Sequence, residues 1–193
     1  MAEERLINIH AVIPRSEVNG PGTRLVVFFQ GCPRGCHGCF NPDTHAPDPH
    51  ILTTPADVLA DNITEGVEGL TVSGGEPFEQ PAGLAGLLRI AKEKYGLTTV
   101  VYTGLLYEDI AGDGSRAGCL DYIDVLVDGG FVKALAEPTT LARGSINQRI
   151  IPITDRYTEE DFVMDGKMEV IINPDGSVTE TGFGRSPRDK TRA

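Results

Sequence analysis

Gly31-Cys32-Pro33-Arg34-Gly35-Cys36-His37-Gly38-Cys39-Phe40-Asn41 holds three of the chain's 4 cysteines in a C-x3-C-x2-C spacing. Structural zinc sites and ordinary [4Fe–4S] clusters complete their coordination with four protein ligands. Three thiolates on one short loop leave one iron of a cubane without a protein ligand, and a small molecule can bind there. Gly31, Gly35 and Gly38 let such a loop curl tightly, and Pro33 stiffens its start. Phe28, Phe29 and Phe40 supply an apolar wall that limits solvent access and tunes a cluster's potential. The spacing leaves open a zinc site built from the same cysteines with His37 or His45. A disulfide framework fits poorly, because 4 cysteines in 193 residues come with no secretory signal at Met1-Ala2-Glu3-Glu4-Arg5. Cys119, alone in Gly-Cys-Leu-Asp-Tyr-Ile, reads as a small buried hydrophobe.

Outward from this loop, strands alternate with helices. Residues 6–13 and 24–30 read as strands around a turn at 18–22, and the second strand delivers the chain to the cysteines. Residues 41–50 are loop. Thr54 and Pro55 open a helix over 56–65, as cap and first-position proline. Residues 69–73 form a buried strand that ends in Gly74-Gly75-Glu76-Pro77. A helix over 80–95 stops at Gly96. The next strands, 97–102 and 122–127, end in Thr103-Gly104 and Asp128-Gly129-Gly130, with short helices at 106–110 and 131–136. Residues 167–173 and 177–182 flank Asn173-Pro174-Asp175-Gly176 and read as a hairpin.

This order predicts an α/β fold whose parallel sheet is built by right-handed crossovers. The 193 residues fall short of the ~250 of a full eight-stranded barrel. An open, partial (βα) barrel with a short C-terminal β-hairpin is expected. It forms one domain over residues 1–184, with a core at about 6–151, an extension over 152–184 and a flexible tail over 185–193. The cysteine loop and the turns at 74–77, 103–104 and 128–130 all follow strands. In βα architectures those strand ends carry the active site.

A net charge of −11 disfavours binding to nucleic-acid phosphates. The basic residues of Ser186-Pro187-Arg188-Asp189-Lys190-Thr191-Arg192-Ala193 read as a solvated end. The strongest apolar run, residues 25–29, is too short to cross a membrane. Neither nucleic acid nor membrane is an expected partner, and a reducing cytoplasm is the expected location.

The cysteine spacing followed by an aromatic residue resembles the radical S-adenosylmethionine superfamily. The resemblance implies the same partial barrel. It also implies a [4Fe–4S] cluster on Cys32, Cys36 and Cys39, which form the catalytic and metal-binding set. The open iron then chelates the amino and carboxylate groups of S-adenosylmethionine, whose reductive cleavage gives a 5′-deoxyadenosyl radical. Ser73-Gly74-Gly75-Glu76-Pro77 resembles the superfamily's Gly-Gly-Glu-Pro motif, which implies cofactor contacts at Gly74, Gly75 and Glu76. Gly38, Cys39 and Phe40 match loop contacts of relatives, and Thr103 falls where relatives approach the ribose. Asp128 is placed to orient the cofactor or support its loop. By its residues alone, each turn also reads as an ordinary strand end.

Asn19-Gly20-Pro21-Gly22-Thr23-Arg24 resembles a stretch of glycyl-radical-enzyme activases, which abstract hydrogen from a backbone glycine of a partner. Leu126-Val127-Asp128-Gly129-Gly130-Phe131-Val132 and Arg143-Gly144-Ser145-Ile146-Asn147-Gln148 resemble segments of the anaerobic ribonucleoside-triphosphate reductase activases. The likeness covers about residues 9–151. It implies an oxidoreductase that installs a glycyl radical on a glycyl radical enzyme subunit, with electrons from an external one-electron reductant such as flavodoxin. Arg143 reads as a partner for a carboxylate or as a plain loop arginine, and Asn147 and Gln148 as amides that order the rim. His10, His37, His45 and His50 lack helical metal-pair spacing and read as non-catalytic. Residues beyond 151 pass the end of the resemblance and are expected to cover the open side of the sheet or meet a partner. A radical enzyme acting on a peptide or small molecule, and a non-catalytic metal-bearing interaction module, remain as alternatives.

Overall fold

A computed structural model describes residues 5–138, 140–172 and 176–184. The turn expected at Asn173-Pro174-Asp175 and the tail over 185–193 lie outside the described residues.

Four strands run parallel at the centre: β2 (Arg24–Phe29), β4 (Gly69–Gly74), β5 (Thr98–Tyr102) and β6 (Val125–Asp128). Three further strands are antiparallel to their neighbours: β1 (Ile7–Ser16), β3 (Ile51–Thr53) and β7 (Arg149–Pro152). The seven-stranded order is β3-β1-β2-β4-β5-β6-β7. The sheet is therefore mixed rather than wholly parallel. The parallel expectation fails at β1, which reaches β2 through the tight Gly20-Pro21-Gly22 turn, too short for a crossover. β8 (Met168–Ile172) and β9 (Val178–Gly182) form a separate antiparallel pair, at the place expected for the hairpin.

The central strands read as near-continuous apolar runs because both faces are covered. α1 (Pro55–Asn62) starts at Thr54, whose side chain accepts the Asp57 amide, and Pro55 sits first. It ends three residues before the expected 65. α2 (Pro81–Tyr95) stops at Gly96, whose φ of +66° suits glycine. Leu84, Leu87 and Leu88 of α2 pack with Leu25, Val27, Leu70 and Val72 of the sheet in the larger core. α3 (Tyr107–Gly112) and a 3-10 turn at Ala117–Tyr122 link β5 to β6. That turn delays β6 to Val125, three residues after the expected start.

Successive strand residues face opposite sides. Val100, Val125 and Val127 thus form a second core with Ile150, Phe162 and Met164, while Val101 and Leu126 join the first. Cys119 is buried in the larger core, and its thiol donates to the Pro81 carbonyl at 3.3 Å. No helix among the described residues is long and apolar enough to cross a membrane.

Candidate functional site

The parallel register pairs Arg24 with Gly69 at one end of β2 and β4, and Phe29 with Gly74 at the other. The chain leaves that second end twice, once into the cysteine loop and once into the Gly-Gly-Glu-Pro turn. Backbone bonds tie the two together: Gly75 N–H donates to Phe29 O at 2.8 Å and Glu76 N–H to Gly31 O at 2.9 Å. The approach demands glycine. Gly74 has a φ of +101°, and a Cβ on Gly75 would lie 2.3 Å from the Gly31 carbonyl oxygen. The far side of the loop is pinned where Gly31 N–H donates to Thr44 O at 2.8 Å and Cys32 N–H to His45 O at 3.1 Å.

Cys32, Cys36 and Cys39 line one cavity of about 210 Å³ with Phe40, Gly74, Gly75, Glu76 and Thr103. Burial pushes the Cys32 and Cys39 thiols up, and the neighbouring cysteines push further in the same direction. The three sulfurs are thus electrostatic neighbours that a metal must deprotonate together. A structural zinc site would need a fourth donor beside the three thiols, and His45 lines the same cavity. His37 is exposed. Three thiols lining one cavity offer one donor to each of three cubane corners. The donor set therefore fits a [4Fe–4S] cluster held by three cysteines.

Glu76 is 1% exposed and joins two strand ends. Its Oε1 accepts from the Thr103 hydroxyl at 2.7 Å and from Phe78 N–H at 3.2 Å, and its Oε2 accepts from Gly104 N–H at 2.8 Å. Burial raises its pKa, and these hydrogen bonds oppose the rise. The third strand end is clasped similarly. Gln148 accepts from Gly144 and Ser145 N–H and donates to Gly129 O at 2.8 Å, and Asn147 donates to Gly130 O at 2.9 Å. These two amides order the rim, as read from the sequence. Arg143 is engaged inside the loop, pairing with Glu137 at 2.7 Å. With a second bond from its Nη1 to the Gln148 carbonyl at 3.0 Å, it holds the loop together.

Two residues expected at the cofactor are not among those that line the cavity. Gly38 does not line the cavity, and a Cβ there would lie 2.7 Å from Lys133 Cδ. Asp128 is fully buried behind the rim, where it accepts Tyr107 N–H at 2.7 Å and pairs with Arg149. This places its carboxylate on the start of α3 and on β7 rather than on the cavity. These partners are the ones a loop-supporting role needs.

Several lining residues were not singled out from sequence. Arg34 lies within the cysteine motif, beside Gly104: a Cβ on that glycine would meet Arg34 Nε at 2.4 Å. Tyr102 precedes Thr103 and donates to Ala142 O at 2.8 Å. Thr181 and Phe183 also line the cavity, and so does Asn19 of the Asn-Gly-Pro-Gly stretch quoted above. Arg24, from the Gly-Pro-Gly stretch, is fully buried at the opposite end of β2. There it donates to Thr71, Pro21 O, Leu70 O and Thr98, far from the cysteines in register.

The family described as "4Fe-4S single cluster domain" matches residues 18–151. The chain is 37% identical over 153 residues to the anaerobic ribonucleoside-triphosphate reductase-activating protein of Vibrio cholerae, covering 75% of this chain and 97% of that protein. Proteins of the same name from Escherichia coli K12 and Enterobacteria phage T4 are each 33% identical. Their alignments cover 74% and 80% of this chain, and 96% and 100% of those proteins.

Proposed function

The chain belongs to the family of anaerobic ribonucleoside-triphosphate reductase-activating proteins, and we propose that it installs a glycyl radical on an anaerobic ribonucleoside-triphosphate reductase. It is a radical S-adenosylmethionine oxidoreductase whose cofactors are a [4Fe–4S] cluster and S-adenosylmethionine. When bound, the two together supply a reductive cleavage that starts hydrogen abstraction. Cys32, Cys36 and Cys39 would hold the cluster through their thiolates, and no fourth cysteine lines the cavity among the described residues. Gly74, Gly75, Glu76, Thr103, Cys39 and Phe40 surround the space the cofactor takes. Gly38 acts through the loop's curvature, and Asp128 by fixing the rim. The single observation that carries the reading is the cavity itself: three thiols and the Gly-Gly-Glu-Pro turn line one space, with backbone bonds holding them in register.

In this proposal the mixed sheet serves as an open, partial (βα) barrel over a single domain of residues 1–184. The electron comes from an external one-electron donor such as flavodoxin, and the location is the cytoplasm. The protein's own part is to hold three thiolates, keep water from one side of the cavity and fix the rim against which the partner's glycine is presented.

The test mixes reconstituted protein, S-adenosylmethionine, reductant and the reductase, and looks for a glycyl doublet by paramagnetic resonance. A doublet that depends on all four components supports the activase. Cofactor cleavage stimulated only by a small molecule, with no doublet on the reductase, overturns it.

A further inference from the structure

The family match ends at Ile151, and the segment after it packs along the sheet before reaching the cavity at residues 180–183. Tyr157 shares a 2.9 Å hydrogen bond with Thr98 and lies under the buried Arg24 guanidinium, 6.0 Å from ring centre to Cζ. Phe162 is fully buried and Met164 is 6% exposed, both in the core on the sheet face turned from α1 and α2. β8 and β9 then run past the cavity. The Asn19 amide donates to Thr181 Oγ1 at 2.8 Å, and Thr181 returns a 3.2 Å bond to Asn19 Oδ1. Both residues are buried. Phe183 stacks on Tyr102, with centroids 5.7 Å apart. Glu17 N–H donates to Glu169 Oε1 at 2.7 Å. Thr181, Gly182 and Phe183 line the same cavity as the three cysteines.

We propose that this C-terminal segment is a fixed wall of the thiol cavity, shielding it from solvent so that the radical reaction stays coupled to the partner's glycine. The coupling half rests on the activase reading; the shielding half does not. The wall is fixed because Phe162 and Met164 anchor its start in the core, while the Asn19–Thr181 clasp and the Phe183–Tyr102 stack hold its end. Swinging it aside would expose Phe162 and break the Asn19–Thr181 clasp. Asn19 belongs to the stretch before the cysteine loop, so the clasp joins the family core directly to the added segment. A wall that excludes water limits side reactions of a reactive intermediate.

The experiment uses the full chain with its cluster reconstituted. Wild type is compared with the Thr181→Val/Phe183→Ala double variant and with Phe183→Tyr. Thr54→Ala, which removes the α1 cap far from the cavity, serves as a control for general destabilisation. First, bathophenanthroline disulfonate is added without S-adenosylmethionine or reductase, and the rate of iron loss is followed. The double variant is expected to lose iron several-fold faster, with Phe183→Tyr and Thr54→Ala at the wild-type rate. Equal rates in wild type and double variant overturn the wall, as does equal acceleration in Thr54→Ala. Second, with reductase present, 5′-deoxyadenosine released is divided by glycyl radical counted. That ratio is expected to rise several-fold in the double variant, and an unchanged ratio overturns the coupling. Absence of any glycyl radical with wild type defeats the activase reading, while the chelator rates still decide the shielding.

Discussion

The Glu76 carboxylate accepts the Thr103 hydroxyl at 2.7 Å and thereby ties the Gly-Gly-Glu-Pro turn to the end of β5. With Gly104 N–H on its other oxygen, a single buried side chain sets the spacing of two strand ends at the cavity.

Burial raises the Glu76 pKa above the ordinary 4.5. The folded state therefore holds its proton to higher pH than the unfolded chain. Its contribution to stability is full below about 4.5 and is lost as pH rises through the folded value. Glu76→Gln removes that loss but places an amide donor against Thr103 or Gly104, at a cost of about 1–3 kcal/mol for an unsatisfied buried donor. Urea melts of the cluster-free chain between pH 4 and 8 are expected to show a lower midpoint for Glu76→Gln, with the gap narrowing as pH rises. A gap that widens with pH contradicts the assignment.

Arg24 satisfies its guanidinium entirely with neutral oxygens: Thr71, Pro21 O, Leu70 O and both oxygens of Thr98. Burial pulls its pKa down. Lysine offers three donors and no planar fork. Arg24→Met strands several buried acceptors at about 1–3 kcal/mol each, so a loss of at least about 3 kcal/mol is expected. Arg24→Lys should fall between Arg24→Met and wild type in urea midpoint. Iron loading of the folded protein should be unchanged in both, because the register puts Arg24 and the cysteine loop at opposite ends of β2. Selective loss of iron with an unaltered urea midpoint would contradict this.

The cysteine loop, the Gly-Gly-Glu-Pro turn and the two long helices were legible because each carries a local chemical signal: thiol spacing, glycine pairs, a Thr-Pro start, a glycine stop. β3 escaped notice because it has three residues, two of them exposed, and owes its pairing to β1 rather than to its own pattern. β7 is four residues ending in Pro152, and is defined by its antiparallel register on β6. The hairpin itself was readable, but its destination was not. The Asn19–Thr181 contact spans 162 residues, and no local pattern encodes it. Arg24 shows the same limit in reverse. Its motif points towards the activases, yet its side chain binds backbone and hydroxyls at the far end of the sheet.

Gly75 tests whether the turn and the cysteine loop act as one unit. A methyl there would lie 2.3 Å from Gly31 O and 2.8 Å from the Gly31 carbonyl carbon, both backbone atoms that cannot swing away. Gly75→Ala must separate the turn from the loop root. Iron bound after reconstitution is expected to drop by at least half. Gly114→Ala, whose added methyl meets nothing within 4 Å, should load like wild type. Full loading of Gly75→Ala would show that the turn and the loop assemble independently.

The last test separates the three cavity thiols from the fourth cysteine. Burial pushes the Cys119 thiol up to about 11. At pH 8 only about one thousandth of it is the thiolate that reacts with an alkylating agent, and its place in the core blocks the reagent as well. Cys32, Cys36 and Cys39 are each partly exposed. Timed iodoacetamide labelling of the cluster-free chain, read by mass mapping, should modify those three first and Cys119 only after denaturant is added. Raising the pH towards 11 should speed Cys119 far less in the folded chain than in denaturant, because access still limits it. Reconstitution extends the contrast. Cys36→Ala is expected to lose more than half of its iron and all cofactor cleavage. Cys119→Ala should keep both, at a stability cost of about 1 kcal/mol for the small cavity left. If Cys119→Ala loses iron as fully as Cys36→Ala, the cluster has a fourth protein ligand. The iron reserved for S-adenosylmethionine is then already taken, and the activase chemistry has no starting point.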